Sequence, residues 1–404
     1  MKNHWEYNTV KEILQDESLP AMIVDMDQLD YNISQVSAKS EKYGKKVRLA
    51  SKSIRVPALI KYILQKGGDN YQGIMCFSIE EAIYLSSLNL TEDILIAYPT
   101  TSENDIRDFC NLSARQDRFV LMVDCIDHIQ LIEREQQKRE SSGSVKICID
   151  VDMSWRPMGM HLGVHRSPVR SLNDFKVLHK YIESSKWVDL TGVMGYEAQV
   201  AGMGERNPFS HFLNPIKKFI KRKSIKDVSQ KRKKINDYLE MHGVDLDIFN
   251  GGGSGSLIST SKEPWITEVT AGSGFLQSHL FDYYAENTNV PAFSFALPIT
   301  RFPQKGIVTC KSGGFIASGE TSKDKSPIPF LPEGLKITNN EGFGEVQTPV
   351  KIPVDMKMKP GDPIFFRPAK AGEIAERFNE YILIRKGKII DRVPTYRGLG
   401  KCFF

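Results

Sequence analysis

A chain of 404 residues, 41% hydrophobic and 25% charged, has the make-up of an ordinary globular protein, long enough for two domains or one large α/β domain with an appendage. Its 54 basic residues nearly balance 49 acidic ones, and a net charge of +5 is too small to point to nucleic acid. No segment approaches the roughly 18 unbroken apolar residues of a membrane helix, the N-terminus lacks a secretory signal, and the six scattered cysteines have neither C-x-x-C nor zinc spacing; reduced thiols in a cytoplasmic protein, with no membrane partner, are expected.

Residues 1–20 form an N-terminal segment, and the first apolar run, "AMIVDMD", opens a domain expected to span 21–285. Within it lie eight candidate strands: 46–51 ("KVRLAS"), 73–78, 93–98, 118–124, 145–152, 188–196, 246–250 and 265–272. Their apolar residues are continuous rather than alternating, as in strands covered on both faces of a parallel sheet. Helical patterns such as "VPALIKYILQKG" (56–67) separate them. Strands alternating with helices in this number predict an α/β fold, a (β/α)8 TIM-type barrel.

One helical stretch, 217–234, holds ten basic residues and one acid, with Ile216, Phe219, Ile220, Val228, Ile235 and Leu239 at helical spacing. Without interleaved aromatics or a nucleic-acid motif it reads as the solvated face of a barrel helix. From 286 to 404 the pattern changes to short strands punctuated by Gly and Pro, a separate C-terminal β domain.

In such a barrel the reacting groups gather at the C-terminal ends of the strands. Those ends carry Lys52, Ser78, Tyr98, Asp124, Arg156, Tyr196, Asn250 and Thr270. A lysine ending a buried strand is costly unless its ammonium has a partner or its amine has chemistry to do. "NGGGSGS" (250–256) and "AGSGF" (271–275) follow the last two strands, where barrels commonly hold a phosphate on backbone amides. A dinucleotide fingerprint fits poorly, since the order is G-G-G-S-G and the element comes late in the chain. A lysine amine beside a phosphate site suggests pyridoxal phosphate, with Arg156 and Tyr196 as contacts to cofactor or substrate.

The segments "RLASKSIR", "GVMGYEAQ", "NGGGSGS", "EVTAGSGF" and "VPTYRGLGKCF" together resemble, from about residue 20 to 404, the fold-type III pyridoxal-phosphate enzymes. The likeness is greatest to the amino-acid deaminase/aldolase group around D-threonine aldolase and D-serine dehydratase, which is also alanine racemase-like. It implies a homodimer with a shared active site and a small amino-acid substrate. By this resemblance Lys52 carries the cofactor, Arg156 and Tyr196 contact it or the substrate, and Gly252, Gly253, Ser254, Gly272 and Ser273 hold its phosphate. The expected activity is a lyase that cleaves or dehydrates a D-configured β-hydroxy-amino acid; a racemase using Tyr381 or Tyr396 as second acid, or a non-catalytic cofactor carrier, are the alternatives.

The resembled enzymes carry a metal on a His followed two residues later by Cys or Asp. Here the matching region reads Arg367-Pro368-Ala369-Lys370. Proline cannot ligate and a protonated lysine is a poor ligand, so no metal residues are assigned and a divalent metal stays open. Lys370, Glu373 and Glu376 stand either as substitute acid or base, or as a solvated charged turn.

Overall fold

The computed structural model of the chain describes residues 5–114, 118–140, 143–320 and 322–404. After β1 (Ala21–Asp25) come eight strands that close on themselves: β2 (Lys46–Ala50), β3 (Tyr71–Cys76), β4 (Ile94–Ile96), β5 (Phe119–Val123), β6 (Val145–Asp150), β7 (Val188–Met194), β8 (Ile248–Gly251) and β9 (Glu268–Ala271). All neighbours are parallel, and β9 returns to β2 with Val47 opposite Val269. The eight expected strands form the expected barrel. Pairing ends one or two residues short of several apolar runs, because the chain turns into loops at the barrel mouth.

The N-terminal segment holds α1 (Tyr7–Ile13), and around the barrel run α2 (Met26–Glu41), α3 (Pro57–Gly67), α4 (Ile79–Ser87), α5 (Glu103–Ser113), α6 (Ile126–Lys138), α7 (Leu172–Ser184), α8 (Ala198–Ala201), α9 (Asn214–Met241), α10 (Leu257–Ser261) and α11 (Ser273–Leu276). Local sequence sets their starts. Pro57 opens α3, Ser78 and Ser102 accept from amides three residues on, and Ser171 with Asp174 forms a reciprocal capping box on α7. Among the described residues no helix is long and apolar enough to cross a membrane.

The second sheet holds β10 (Phe293–Gln304), β11 (Ile307–Lys311), β12 (Ile328–Leu331), β13 (Lys336–Ile337), β14 (Gln347–Lys351), β15 (Pro363–Arg367), β16 (Glu380–Arg385) and β17 (Lys388–Pro394). It also takes β1, antiparallel to β10 and parallel to β16. The expected barrel start at residue 21 is thereby corrected: the run "AMIVD" is buried on both faces, but in the β domain. Trp5, Val10 and Leu14 of the N-terminal segment pack on that same side, with Ala21, Ile23, Phe365 and Ile382.

The basic stretch lies on α9 as expected, with Val228, Ile235 and Leu239 buried against the barrel. Its first turns depart from the expectation. Ile216 and Phe219 are half exposed, beside exposed Phe209, Phe212 and Leu213. Two of the basic residues are instead buried: Lys221 pairs with Glu205, and Arg232 lies fully inside.

Candidate active site

Lys52 occupies a short turn, Ser51–Ser53, at the end of β2. The turn is braced from behind by Arg55, whose Nε donates to the Lys52 carbonyl at 3.1 Å and whose Nη1 pairs with Glu376 at 2.9 Å. Lys52 Nζ donates to the Tyr98 hydroxyl at 2.8 Å. Burial alone would raise the Tyr98 phenol, but the cations of Lys52 and Arg166 outweigh it and hold the phenol below its ordinary value.

Arg166 completes this corner. Its Nε donates to Asp150 at 2.5 Å, its Nη2 to the Ala97 carbonyl, and its guanidinium lies 5.3 and 5.7 Å from the ring centroids of Tyr98 and Tyr196. Asp150 is 1% exposed; burial lifts its carboxyl to about 6 against the opposing pull of Arg166. Burial likewise pushes the Tyr196 phenol up to about 12. Lys52, Tyr98, Arg166, Tyr196, Asn250, Gly252, Gly253, Ser254, Thr270, Gly272 and Ser273 line one cavity of about 140 Å³ at the barrel mouth.

Two buried polar networks hold this mouth in shape. Inside the barrel, Arg48 makes a two-bonded pair with Glu268 and reaches Asp93, while Asn250 bridges Glu268 and Thr270. Behind the first glycine turn, Glu197 accepts from Arg232, from the hydroxyls of Ser256 and Thr260 at 2.6 Å each, and from the Gly252 amide at 3.1 Å. Arg232 also pairs with Glu263 at 2.6 Å.

The glycine turns thus differ in detail from their expected use. The Gly252 amide is taken by Glu197 and the Gly253 amide by Ser256 Oγ at 3.1 Å. What the turns present to the cavity are hydroxyls: Ser254, which accepts from the Gly274 amide at 2.9 Å, and Ser273, which bonds Ser53 at 3.2 Å. The Ser273 amide opens α11, where no intrahelical carbonyl can receive it. A Cβ on Gly272 would lie 2.8 Å from Ser53 Oγ, so the turn closes tightly on the Lys52 loop only with glycine there.

Arg156 is not brought to the site. It is half exposed and pairs with Asp152 at 3.0 Å, four residues away on the same loop. Ser78 is spent capping α4, and Asp124 pairs with His128 at 3.1 Å. Among the described residues, the one cluster of His, Cys, Asp or Glu able to share an ion is Asp124, Cys125 and His128, after β5, not in the β domain. Sequence reading misses Arg166, which stands sixteen residues past the end of β6 in no motif, and Glu197, which lies within "GVMGYEAQ" with nothing in the sequence to mark its task.

The β domain covers the mouth. Lys52, Ser53, Tyr196 and Ser273 also border a larger cavity of about 630 Å³ whose far wall includes Ser318, Lys370 and Glu373. At Gly372 the two domains touch: a Cβ there would stand 1.8 Å from the Lys52 carbonyl oxygen.

The family model described as alanine racemase, N-terminal domain, matches residues 24–275. Among curated proteins none matches the chain in sequence. Solved structures of similar fold include D-threonine aldolase from Filomicrobium marinum, at 17% identity and a TM-score of 0.79, covering 96% of this chain and 97% of that one. D-threo-3-hydroxyaspartate dehydratase from Delftia sp. HT23 aligns at 16% identity and a TM-score of 0.73 over 95% and 98% of the two chains. A cysteine variant of D-threo-3-hydroxyaspartate dehydratase, in a metal-free form, also aligns. Alanine racemase from Bacillus anthracis follows at 16% identity and a TM-score of 0.62, over 94% and 98%. At these identities the structures speak for fold alone, but with more than half of its residues matched by the family model, the chain belongs to the alanine racemase N-terminal-domain family, within the fold-type III pyridoxal-phosphate enzymes.

Proposed function

We propose that the protein is a pyridoxal-phosphate-dependent lyase that cleaves or dehydrates a D-configured β-hydroxy-amino acid, working as a homodimer. The observation that carries this reading is the lysine amine of Lys52 in a cavity it shares with two glycine turns and a covering second domain. The residues present fit the cofactor. Lys52 would hold its aldehyde, the hydroxyls of Ser53, Ser254 and Ser273 with the Ser273 amide would hold its phosphate, and Arg166 and Tyr196 would line its ring. When bound, pyridoxal phosphate supplies an electron sink for a bond broken at the substrate's α-carbon.

The chain's own groups then move protons and exclude water. Lys52 and Tyr98, 2.8 Å apart, can exchange a proton, and the lowered Tyr98 phenol suits that task. Arg166 stays charged beside Asp150 and keeps positive potential at the mouth. The β domain walls off the larger cavity, which a bare carrier would not need. Against a racemase, Tyr381 and Tyr396 are 0% and 1% exposed within their own protomer, so neither can reach into a partner's site.

The test is product analysis of cofactor-loaded protein with D-threonine and D-serine and their L-enantiomers. Glycine with acetaldehyde, or a 2-oxo acid with ammonia, from the D-forms alone is the expected outcome. Interconversion of enantiomers without either product would establish a racemase instead.

A further inference from the structure

Across the larger cavity from Lys52 stands a second lysine whose position is tightly set. Lys370 Nζ donates to the Ser318 carbonyl and to its hydroxyl, each at 2.9 Å, and lies 3.0 Å from Glu373 Oε1. Glu373 is itself fixed, accepting from the Ser318 amide and hydroxyl at 2.7 Å each. Burial pushes the Glu373 carboxyl up, but the Ser318 bonds and Lys370 outweigh it and hold the group below its ordinary value, as the charged partner of an ammonium. Gly372, two residues on, presses against the Lys52 carbonyl, so the loop cannot carry Lys370 away from the mouth while the domains are docked.

This is the segment where the resembled enzymes place a metal, and its residues do not fit one. Arg367 is paired with Asp282, the side chains of Pro368 and Ala369 have no ligating atom, and the Lys370 ammonium has no lone pair to give. What the segment offers in place of a metal ion is a fixed ammonium donor, ion-paired with Glu373, at the cavity wall.

We propose that Lys370 is the substrate-binding group for the oxygen on the β-carbon, held in place by Ser318 and Glu373, so that recognition of this oxygen needs no divalent metal. The inference rests on the lyase reading of the same site and names the group that selects its substrate. An ammonium has three donors, and all three have protein partners here. The incoming oxygen replaces the Ser318 hydroxyl, which keeps Glu373 as its own acceptor. Because one ammonium-to-hydroxyl bond is exchanged for another, the exchange itself is near neutral. The selectivity lies in giving the substrate oxygen a charged donor when it leaves water, and losing that donor is expected to weaken binding roughly tenfold or more.

D-serine and D-alanine differ only in that oxygen, which makes them the probes. Each is mixed rapidly with cofactor-loaded protein, and the initial shift of the near-visible band is titrated, with and without prior dialysis against EDTA. The wild type is expected to bind D-serine at least as tightly as D-alanine, before and after EDTA. K370M is expected to weaken D-serine about tenfold or more while binding D-alanine as before, which also certifies its fold. D-serine binding that K370M leaves unchanged, or that EDTA weakens, overturns the proposal while leaving the lyase reading intact. If neither amino acid shifts the wild-type band, the lyase reading itself falls, and this inference with it.

Discussion

Lys52 and Tyr98 share a proton-exchange distance because two residue-level facts coincide: β2 ends at the mouth, and a second cation, Arg166, keeps the phenol acidic enough to matter. Three arginines, Arg156, Arg166 and Arg170, follow β6 before α7, and the roles of the first two separate by surroundings. Arg166 is mostly buried against Asp150, whereas Arg156 reaches solvent. Arg166→Met is expected to weaken cofactor binding at least tenfold and to lower stability by about 3–5 kcal/mol, because it strips the partner from a buried carboxylate. Arg156→Met is expected to leave cofactor binding within twofold; cofactor titration and urea unfolding of both variants measure this. Sequence alone could not choose between them. The spacing places both on one long loop, and only the chain path brings the farther one back to the mouth.

A second residue-scale prediction concerns Glu81, which is buried at the start of α4, bonded to the Phe77 amide and the Tyr396 hydroxyl at 2.8 Å each. Burial raises its carboxyl from 4.5 to about 7 despite those bonds. The folded state therefore holds a proton that the unfolded chain has already released between these two values. Stability from this group is fully present below pH 4.5 and is lost as pH rises through about 7, by about 3 kcal/mol in all. Glu81→Gln keeps a similar shape without the titration. The melting temperature of the wild type should fall relative to that of the variant across this window, and a difference that stays flat with pH would refute the assignment.

At the scale of elements, the barrel strands were legible because both of their faces are covered, which writes a continuous apolar run. The same signature misled at β1, since a run covered on both faces does not say by which sheet. On α9 the apolar spacing told only half the story: its C-terminal turns bury Val228 and Ile235, while its first turns leave Ile216 and Phe219 to solvent. The glycine turns were found by composition, but their wiring was not. Glu197 and Arg232 come from different elements and meet only in the fold. Glu197→Ala leaves Arg232 short of a partner at 0% exposure and should cost about 3–5 kcal/mol by denaturant unfolding, with Glu197→Gln milder. Gly272→Ala should weaken cofactor binding about tenfold while the barrel still folds, because its Cβ displaces Ser53 from Ser273.

At the scale of the molecule, the two domains meet where the chemistry is placed. Gly372 against Lys52, and the C-terminal tail with its Tyr396 amide on the Arg55 carbonyl at 2.9 Å, tie the β domain to the Lys52 turn. The exposed group of Phe209, Phe212, Leu213, Ile216 and Phe219 is an apolar surface consistent with the proposed homodimer. Sedimentation at micromolar protein should give twice the mass of one chain, and Phe212→Glu should shift it toward one; a wild-type monomer would refute the dimer. Whether Lys52 carries an aldehyde cofactor is read most directly from the near-visible absorbance of purified protein with pyridoxal phosphate added. The wild type is expected to show a band that borohydride removes, fixing the cofactor to Lys52 in the peptide digest, and that Lys52→Ala lacks. No band in the wild type, or an equal band in Lys52→Ala, would contradict that assignment.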